Sequence, residues 1–145
     1  MTTNASCELC TQDGGDVVVR EENYRIVLVN DRFYAGFCRV IWNDHVKEMT
    51  DLPSAERGVL MDAVWRVESA VREVMQPEKV NLACLGNQVP HLHWHVIPRY
   101  VDDAHFPNPI WSRARQRPTA MTLASRAALL PALREAILKA FGKAG

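Results

Sequence analysis

The sequence lacks the features that are typical of membrane, secreted and polyanion-binding proteins. Its 145 residues contain no apolar run long enough to cross a bilayer, and the N-terminal MTTNASCELC lacks the basic and apolar parts of a signal peptide. Lysine plus arginine and aspartate plus glutamate number 17 each, so no net charge attracts polyanions, although a basic groove could still exist locally. We therefore expect a soluble, cytoplasmic protein with neither a nucleic-acid nor a membrane partner.

Cysteine is scarce, with four residues in the chain. A cytoplasmic location disfavours a disulfide framework, so metal binding or simple burial is the expected role of these cysteines. Cys38 and Cys84 lie in apolar segments, and we expect both to be small buried side chains. Cys7 and Cys10 have the C-x-x-C spacing that suits two zinc thiolates, but this spacing alone does not establish a metal site.

The sequence does contain strand and helix patterns that suit one domain over residues 1–145. Its apolar fraction of 48% and charged fraction of 23% are close to the globular average. Short apolar or β-branched runs predict strands, in DVVV, YRIVLV, GFCRVIW, KVNLACL and HLHWHVI. A helix is predicted from the N-cap Ser54 to the residues before Pro77, with apolar positions three or four apart at Leu60, Val64, Val67, Val71 and Met75.

The C-terminal third begins with a segment rich in proline. Residues 101–122 are predicted to be a loop, and 123–142 a C-terminal helix in which Pro131 implies a kink or a start near Leu130. The loop is either a lid over a leaving group or a dimer contact, and its His105 is expected at the surface. Strands, one central helix, more strands and a late helix predict an α+β fold with a mainly antiparallel sheet.

The stretch PHLHWHVIPRY places three histidines at alternate positions. On a strand, His91, His93 and His95 would share one face, with the intervening residues facing the core. Three adjacent imidazoles suit either a three-histidine metal site with an open position or phosphate chemistry with a neutral imidazole as nucleophile. An exposed polar strand face is the remaining alternative, which the apolar neighbours disfavour.

The sequence HLHWHVI fits the pattern His-apolar-His-apolar-His-apolar-apolar, and so resembles the histidine triad (HIT) superfamily. LVNDRFYAGFCRVIWNDHVKEMTDL and LGNQVPHLHWHVIPR resemble the family's flanking segments, so that the likeness runs from about Cys7 to Arg99. The third triad position is histidine and not glutamine, which favours the nucleotide hydrolase branch over the nucleotidyl-transferase branch. No cysteine follows Cys84, which disfavours the DNA-end-repair branch with its zinc finger. Within that branch, the sequence resembles bacterial proteins similar to diadenosine tetraphosphate hydrolase.

The resemblance implies a role for each matching residue. His93 would attack the α-phosphate and form a nucleotidyl-histidine, His95 would hold phosphate oxygens and assist the leaving group, and His91 would support the nucleophile. The amides of Asn81 and Asn87 would contact the phosphate or the leaving group. Asn30 and Asp31, which follow the second predicted strand, would contact the nucleoside. Each of these four could instead be a turn residue that satisfies the backbone.

The resemblance also implies a metal and a partner. Members with the cysteine pair complete a structural zinc site with two histidines, here giving the set Cys7, Cys10, His45 and His91. No cofactor is expected for the chemistry itself. Proteins of this family are usually homodimers, so a homodimer is expected. The expected substrate is a nucleotide, with a purine nucleoside phosphate favoured.

Three functions stay open on the sequence. The first is hydrolysis of a nucleotide phosphoanhydride or phosphoramidate, with dinucleoside polyphosphates such as diadenosine tetraphosphate favoured. The second is a nucleotide-binding sensor or adaptor with little turnover. The third is a metalloenzyme that uses His91, His93 and His95 as ligands.

Overall fold

The computed structural model describes residues 2–143 and contains a five-stranded antiparallel sheet. The strands are β1 (Asp16–Arg20), β2 (Tyr24–Leu28), β3 (Cys38–Trp42), β4 (Lys79–Ala83) and β5 (His93–Arg99). Across the sheet they have the order β1-β2-β3-β5-β4, and each neighbouring pair is antiparallel. Strand β5 therefore pairs on both sides, with β3 and with β4. The predicted α+β class with a mainly antiparallel sheet is confirmed.

A short helix α1 (Glu8–Thr11) precedes β1, and the long helix α2 (Ser54–Met75) lies between β3 and β4 in the chain. Helix α2 covers one face of the sheet. Its buried side chains recur at helical spacing and include all five apolar positions that the sequence predicts. The predicted N-cap is wrong by one residue. The carbonyl of Pro53 accepts the first helical hydrogen bond, from the Arg57 N–H, so Pro53 occupies the N-cap position and Ser54 is already helical.

The C-terminal region contains two helices where the sequence predicts one helix over 123–142. Helix α3 (Ala120–Ala127) and helix α4 (Leu130–Ala140) are separated by a two-residue break. Pro131 lies in the first turn of α4, where its missing N–H would have had no helical partner, so the proline starts a helix and does not kink one. Helix α4 packs on α2 and buries Leu133 and Ile137. Within residues 2–143, no helix is long and apolar enough to cross a membrane.

The two faces of the sheet bury different material. The face toward α2 and α4 holds the main apolar core, including Val40, Leu92 and Val96. The opposite face is covered in two patches, one formed around Leu9 of the N-terminal segment and one around Tyr34 of the β2–β3 loop. Because strand residues alternate between faces, the odd-numbered residues of β5 point to this second face, where the candidate site lies.

Candidate active site

Strand β5 brings two histidines of the triplet into one pocket. His95 pairs across the sheet with Arg39 of β3, and His93 pairs with Ile41. The two imidazoles meet edge to face, with ring centroids 4.9 Å apart. His91 precedes β5, and its buried ring contacts the N-terminal cysteines. The structure therefore places the three predicted catalytic histidines in two different surroundings.

The ring of His93 is oriented by the backbone of His91. Nδ1 of His93 lies 2.5 Å from the carbonyl oxygen of His91. A carbonyl can only accept, so Nδ1–H donates and the lone pair lies on Nε2, the nitrogen that could attack phosphorus. Burial lowers the pKa of His93, and the charge of Arg39 adds to this effect against the opposing bond to His91. A neutral imidazole with a fixed tautomer results.

The ring of His95 lies deeper among aromatic side chains. Its centroid is 5.6 Å from that of Phe37 and 5.1 Å from that of Trp111. Burial lowers the pKa of His95 to about 3, with further contributions from His93 and Arg39. Its Nδ1 is buried and has no hydrogen-bond partner among residues 2–143. His95 is thus a neutral side chain that can donate one N–H to a ligand, and it is not an acid at neutral pH.

The histidines open into a pocket of about 320 Å³. The loop after β4 forms one wall, where Gly86 has a φ of +79° that favours glycine. Asn87, predicted to contact the phosphate, belongs to this wall, so the structure brings it together with His93 and His95. The lining residues are Arg39, Leu85, Gly86, Asn87, Gln88, Val89, His93, His95 and Trp111.

The other predicted nucleotide-binding residues lie elsewhere. Asn81 is part of β4, and its side-chain oxygen accepts a hydrogen bond from Arg99 at 2.7 Å. Asn30 and Asp31 line a separate groove of about 650 Å³ between the end of β2 and the C-terminal helices. Asp31 also accepts a hydrogen bond from the Phe33 N–H at 2.9 Å, as a turn residue does. The structure does not bring these three side chains into the pocket of His93.

The predicted metal ligands do converge. One ligand atom from each of Cys7, Cys10, His45 and His91 lies within 4.8 Å of all the others. Cys7 Sγ is 3.4 Å from Nδ1 of His91, and Cys10 Sγ is 3.4 Å from Nδ1 of His45. The cluster therefore has the two-sulfur, two-nitrogen donor set of a structural zinc site, and all four tetrahedral positions would be taken.

The tautomer of His91 suits this role. Its Nε2 lies 2.5 Å from the Trp42 carbonyl, so Nε2–H donates there and Nδ1 keeps its lone pair for the cluster. The same bond argues against a site built from His91, His93 and His95. Nδ1 of His91 faces the cysteines, and Nδ1 of His93 is already bonded to the backbone.

Sequence reasoning missed several residues that shape the pocket. Arg39 is a lone cation in an apolar strand, which was the available signal, and Trp111 lies within the proline-rich segment 101–122. Two further expectations are wrong. His105 is partly buried, with Nδ1 at 2.5 Å from the Tyr34 hydroxyl, because the loop folds back over β5. Cys84 is exposed, because β4 ends one residue before it.

The chain matches a known family over most of its length. The family described as the HIT domain matches residues 11–102, well over half of the chain. The AP-4-A phosphorylase of Mycobacterium tuberculosis is 28% identical over 102 residues, covering 66% of this chain and 52% of that protein. The chain thus spans about half the length of the relatives that it matches.

Solved structures share the fold. A histidine triad protein from Bradyrhizobium japonicum superposes with a TM-score of 0.69 at 28% identity, covering 84% of this chain and 91% of that one. A Zn-bound histidine triad family protein from Mycobacterium smegmatis has a TM-score of 0.62 at 26% identity, with 94% and 96% of the two chains covered. The antiparallel sheet and its helices are therefore those of histidine triad proteins.

Proposed function

Because this chain belongs to the HIT domain family, we propose that it hydrolyses a nucleotide phosphoanhydride or phosphoramidate through a nucleotidyl-histidine intermediate on His93. The observation that carries the proposal is the hydrogen bond from Nδ1–H of His93 to the His91 carbonyl. It leaves Nε2 of His93 unprotonated in a pocket that also holds a cation and a neutral amide, Arg39 and Asn87. Family membership supports nucleotide-processing chemistry in general, and the residue roles are our proposal.

In the first step, Nε2 of His93 attacks the α-phosphorus, and the bond from phosphorus to the leaving group breaks with its electron pair on the leaving group. The imidazole then carries a positive charge, which the His91 carbonyl stabilises by accepting from Nδ1–H. His95 donates its N–H to phosphate or leaving-group oxygen, as a neutral donor. Water next attacks phosphorus, and the phosphorus–nitrogen bond breaks with its electron pair on Nε2 of His93, which returns to its neutral form. The proton that this water loses passes to the solvent and balances the proton that an amine leaving group takes up from it.

Diadenosine tetraphosphate is the substrate that we favour within this class. The support is the relative named AP-4-A phosphorylase, of which this chain spans about half the length. A leaving group that is itself a nucleoside triphosphate suits a pocket with a cation beside the histidines. Asn30 and Asp31 line a different groove, so a nucleoside bound there would require a ligand that extends beyond the pocket of His93.

The Cys7, Cys10, His45 and His91 cluster would hold a structural zinc ion. The Zn-bound relative from Mycobacterium smegmatis supports zinc as the metal. When bound, the ion would supply no open coordination position for catalysis and would tie the N-terminal segment to the strand that carries the histidines. Free thiols suit a reducing compartment such as the cytoplasm.

A homodimer is also part of the proposal. Strand β4 is an edge of the sheet, with one side of its backbone unpaired by any other strand in the described part of the chain. Such an edge is a template for pairing with another chain, here a second copy. Light scattering coupled to size exclusion would give twice the monomer mass if this is right, and the monomer mass if it is wrong.

The test of the proposed chemistry uses the variant His93→Ala. We expect wild type to release AMP and ATP from diadenosine tetraphosphate, and the variant to lose turnover by more than about a thousandfold while it still binds nucleotide. A labelled nucleotide should form an acid-labile adduct with wild type and none with the variant. Circular dichroism checks that the variant is folded.

Other outcomes would assign other functions. Full activity in His93→Ala would contradict the nucleophile assignment. Cleavage of an adenosine phosphoramidate without cleavage of the tetraphosphate would indicate an aminohydrolase. Nucleotide binding by wild type without turnover of either substrate would indicate a sensor.

A further inference from the structure

Arg39 is partly buried, and it differs from the two buried arginines on the same face of the sheet, Arg25 and Arg99. Arg25 donates four hydrogen bonds, to the carbonyls of Leu9, Gln12 and Asp13 and to Asn43. Arg99 forms a buried ion pair with Asp103 at 2.8 Å and donates to further oxygens. Both guanidinium groups are thus satisfied by the fold, as buried cations must be.

Arg39 donates one hydrogen bond, from NH1 to the Gly14 carbonyl at 2.9 Å. Its Nε is buried without a hydrogen-bond partner, and no acidic side chain between residues 2 and 143 lies within ion-pair distance of it. A guanidinium has five N–H donors, so most of the donors of Arg39 remain for a ligand or water. Burial lowers the pKa of Arg39, and the more distant carboxylates of Glu8 and Asp31 offset this effect only in part.

The surroundings of Arg39 suit an anion. Among the nine residues that line the pocket, none is acidic, and Arg39 carries the formal charge. Asn87 and Gln88 add neutral amides, which bind phosphate without repelling it. A planar guanidinium binds phosphate with two parallel hydrogen bonds, which makes a phosphate group the ligand that fits best.

The position of Arg39 along the sheet indicates which phosphate it meets. Its partner in register is His95, two residues beyond the proposed nucleophile. Two residues of strand span roughly 6–7 Å, more than the size of one phosphate group. This offset suits the phosphate next to the one that His93 attacks.

We propose that Arg39 binds the phosphate on the leaving-group side of the bond that His93 attacks, and so selects nucleotides with a polyphosphate leaving group over those with a neutral amine. The inference rests on the proposed function of the His93 pocket, and names its class of substrate. The residue acts by binding and not by proton transfer, because a guanidinium keeps its proton.

The kinetic test compares diadenosine tetraphosphate with an adenosine phosphoramidate that has a neutral amine leaving group. For Arg39→Gln, we expect the fall in kcat/KM to be at least about tenfold larger for the tetraphosphate, as charge-assisted hydrogen bonds are lost. Arg39→Lys should keep part of the preference for the tetraphosphate, since lysine keeps the positive charge but lacks the two parallel N–H donors of the guanidinium. Arg113→Gln, in the exposed loop outside the pocket, controls for net charge. Equal losses on both substrates, or none, would overturn the proposal.

A binding test does not depend on turnover. Calorimetry would measure the affinity of inorganic tripolyphosphate for His93→Ala and for the double variant His93→Ala/Arg39→Gln. We expect the double variant to bind at least about tenfold more weakly. Equal affinity, or no binding to either protein, would overturn the role of Arg39. If wild type turns over neither nucleotide but this difference is found, the proposed reaction fails while the phosphate site of Arg39 stands.

Discussion

His91 connects two sites through different atoms of one residue. Its ring contacts Cys7 and Cys10, while its carbonyl accepts a hydrogen bond from Nδ1–H of His93. The carbonyl belongs to the backbone, so a change of the His91 side chain affects the metal ligand set directly and the nucleophile only through the position of the chain. The two roles are separated because His91 precedes strand β5, so that its ring reaches the cysteines while its carbonyl stays beside His93.

His95 should stay neutral well below neutral pH. Its pKa of about 3 results from burial first, then from His93 and Arg39. In carbon-labelled protein, we expect the His95 ring signals to remain constant from pH 8 to pH 5. Titration of His95 between pH 6 and 7 would contradict this description of the pocket.

The same shift predicts a dependence of stability on pH. Because the folded pKa lies below the unfolded value, the unfolded chain takes up the proton first as the pH falls. The contribution of neutral His95 is thus complete above pH 6.5 and is lost progressively between 6.5 and 3. Between pH 6.5 and pH 5, the free energy of unfolding from urea titrations should fall by about 2 kcal/mol less for His95→Gln than for wild type. Parallel losses in the two proteins would show that other groups control the change.

At the scale of elements, the loop after β5 is held by one buried carboxylate. Asp103 receives both Nε and NH2 of Arg99, the Tyr34 hydroxyl and the backbone N–H groups of Tyr100, His105 and Phe106. Burial opposes the charge of Asp103, but these bonds outweigh it and lower the pKa to about 2. The loop that carries Trp111 to His95 is therefore anchored, although the sequence gives it no helix or strand pattern.

Asp103→Asn should destabilise the protein by about 3–5 kcal/mol, because it leaves the buried Arg99 without its counter-charge. The free energy of unfolding from urea titrations measures this. Asp102→Asn is a matched control one residue away: Asp102 is exposed and pairs with Arg126 at the surface, so we expect a cost below about 1 kcal/mol. Similar costs for the two variants would mean that the ion pair does not hold the loop.

At the scale of the whole molecule, the Cys7, Cys10, His45 and His91 cluster joins parts that are distant in sequence. Cys10 and His45 are separated by 35 residues, and Cys7 and His91 by 84. A bound ion would stabilise the folded chain, because the unfolded chain holds no preformed site. The apolar patch around Leu9 is small, so the ion would add to the hydrogen bonds from Arg25 that hold the N-terminal segment.

Removal of zinc should lower the melting temperature before it affects the chemistry. We expect a chelator, or Cys10→Ser, to lower Tm by about 5 °C or more, which corresponds to upwards of roughly 1–2 kcal/mol in a domain of this size. Cys84→Ser is the matched control, because Cys84 is exposed and outside the cluster. Scanning calorimetry measures the melting temperature, and metal analysis of the same samples measures the zinc content. Loss of activity at unchanged Tm would instead favour a catalytic metal.

Much of the fold and part of the site follow from local pattern. Short apolar or β-branched runs identify strands β1 to β5, and helical spacing identifies helix α2, because both signals arise within a few neighbouring residues. Alternate residues of a strand share a face. The same rule places His93 and His95 on one face. The C-x-x-C pair and its histidines were predicted together through the family resemblance, and their ligand atoms converge in the structure.

The exposure of Cys84 and the groove that holds Asn30 and Asp31 did not follow from the sequence. Each depends on which segments pack together across long stretches of chain, and alternation within one segment carries no information about that. The sequence by itself determined the α+β class, the pair of histidines on β5 and the ligand types of the metal cluster. Only the tertiary structure decided that the ring of His91 faces the cysteines, that Asp103 is buried under its loop and that Arg39 is left unpaired beside His95. The physical reason is that burial and pairing are set by contacts between residues far apart in the chain.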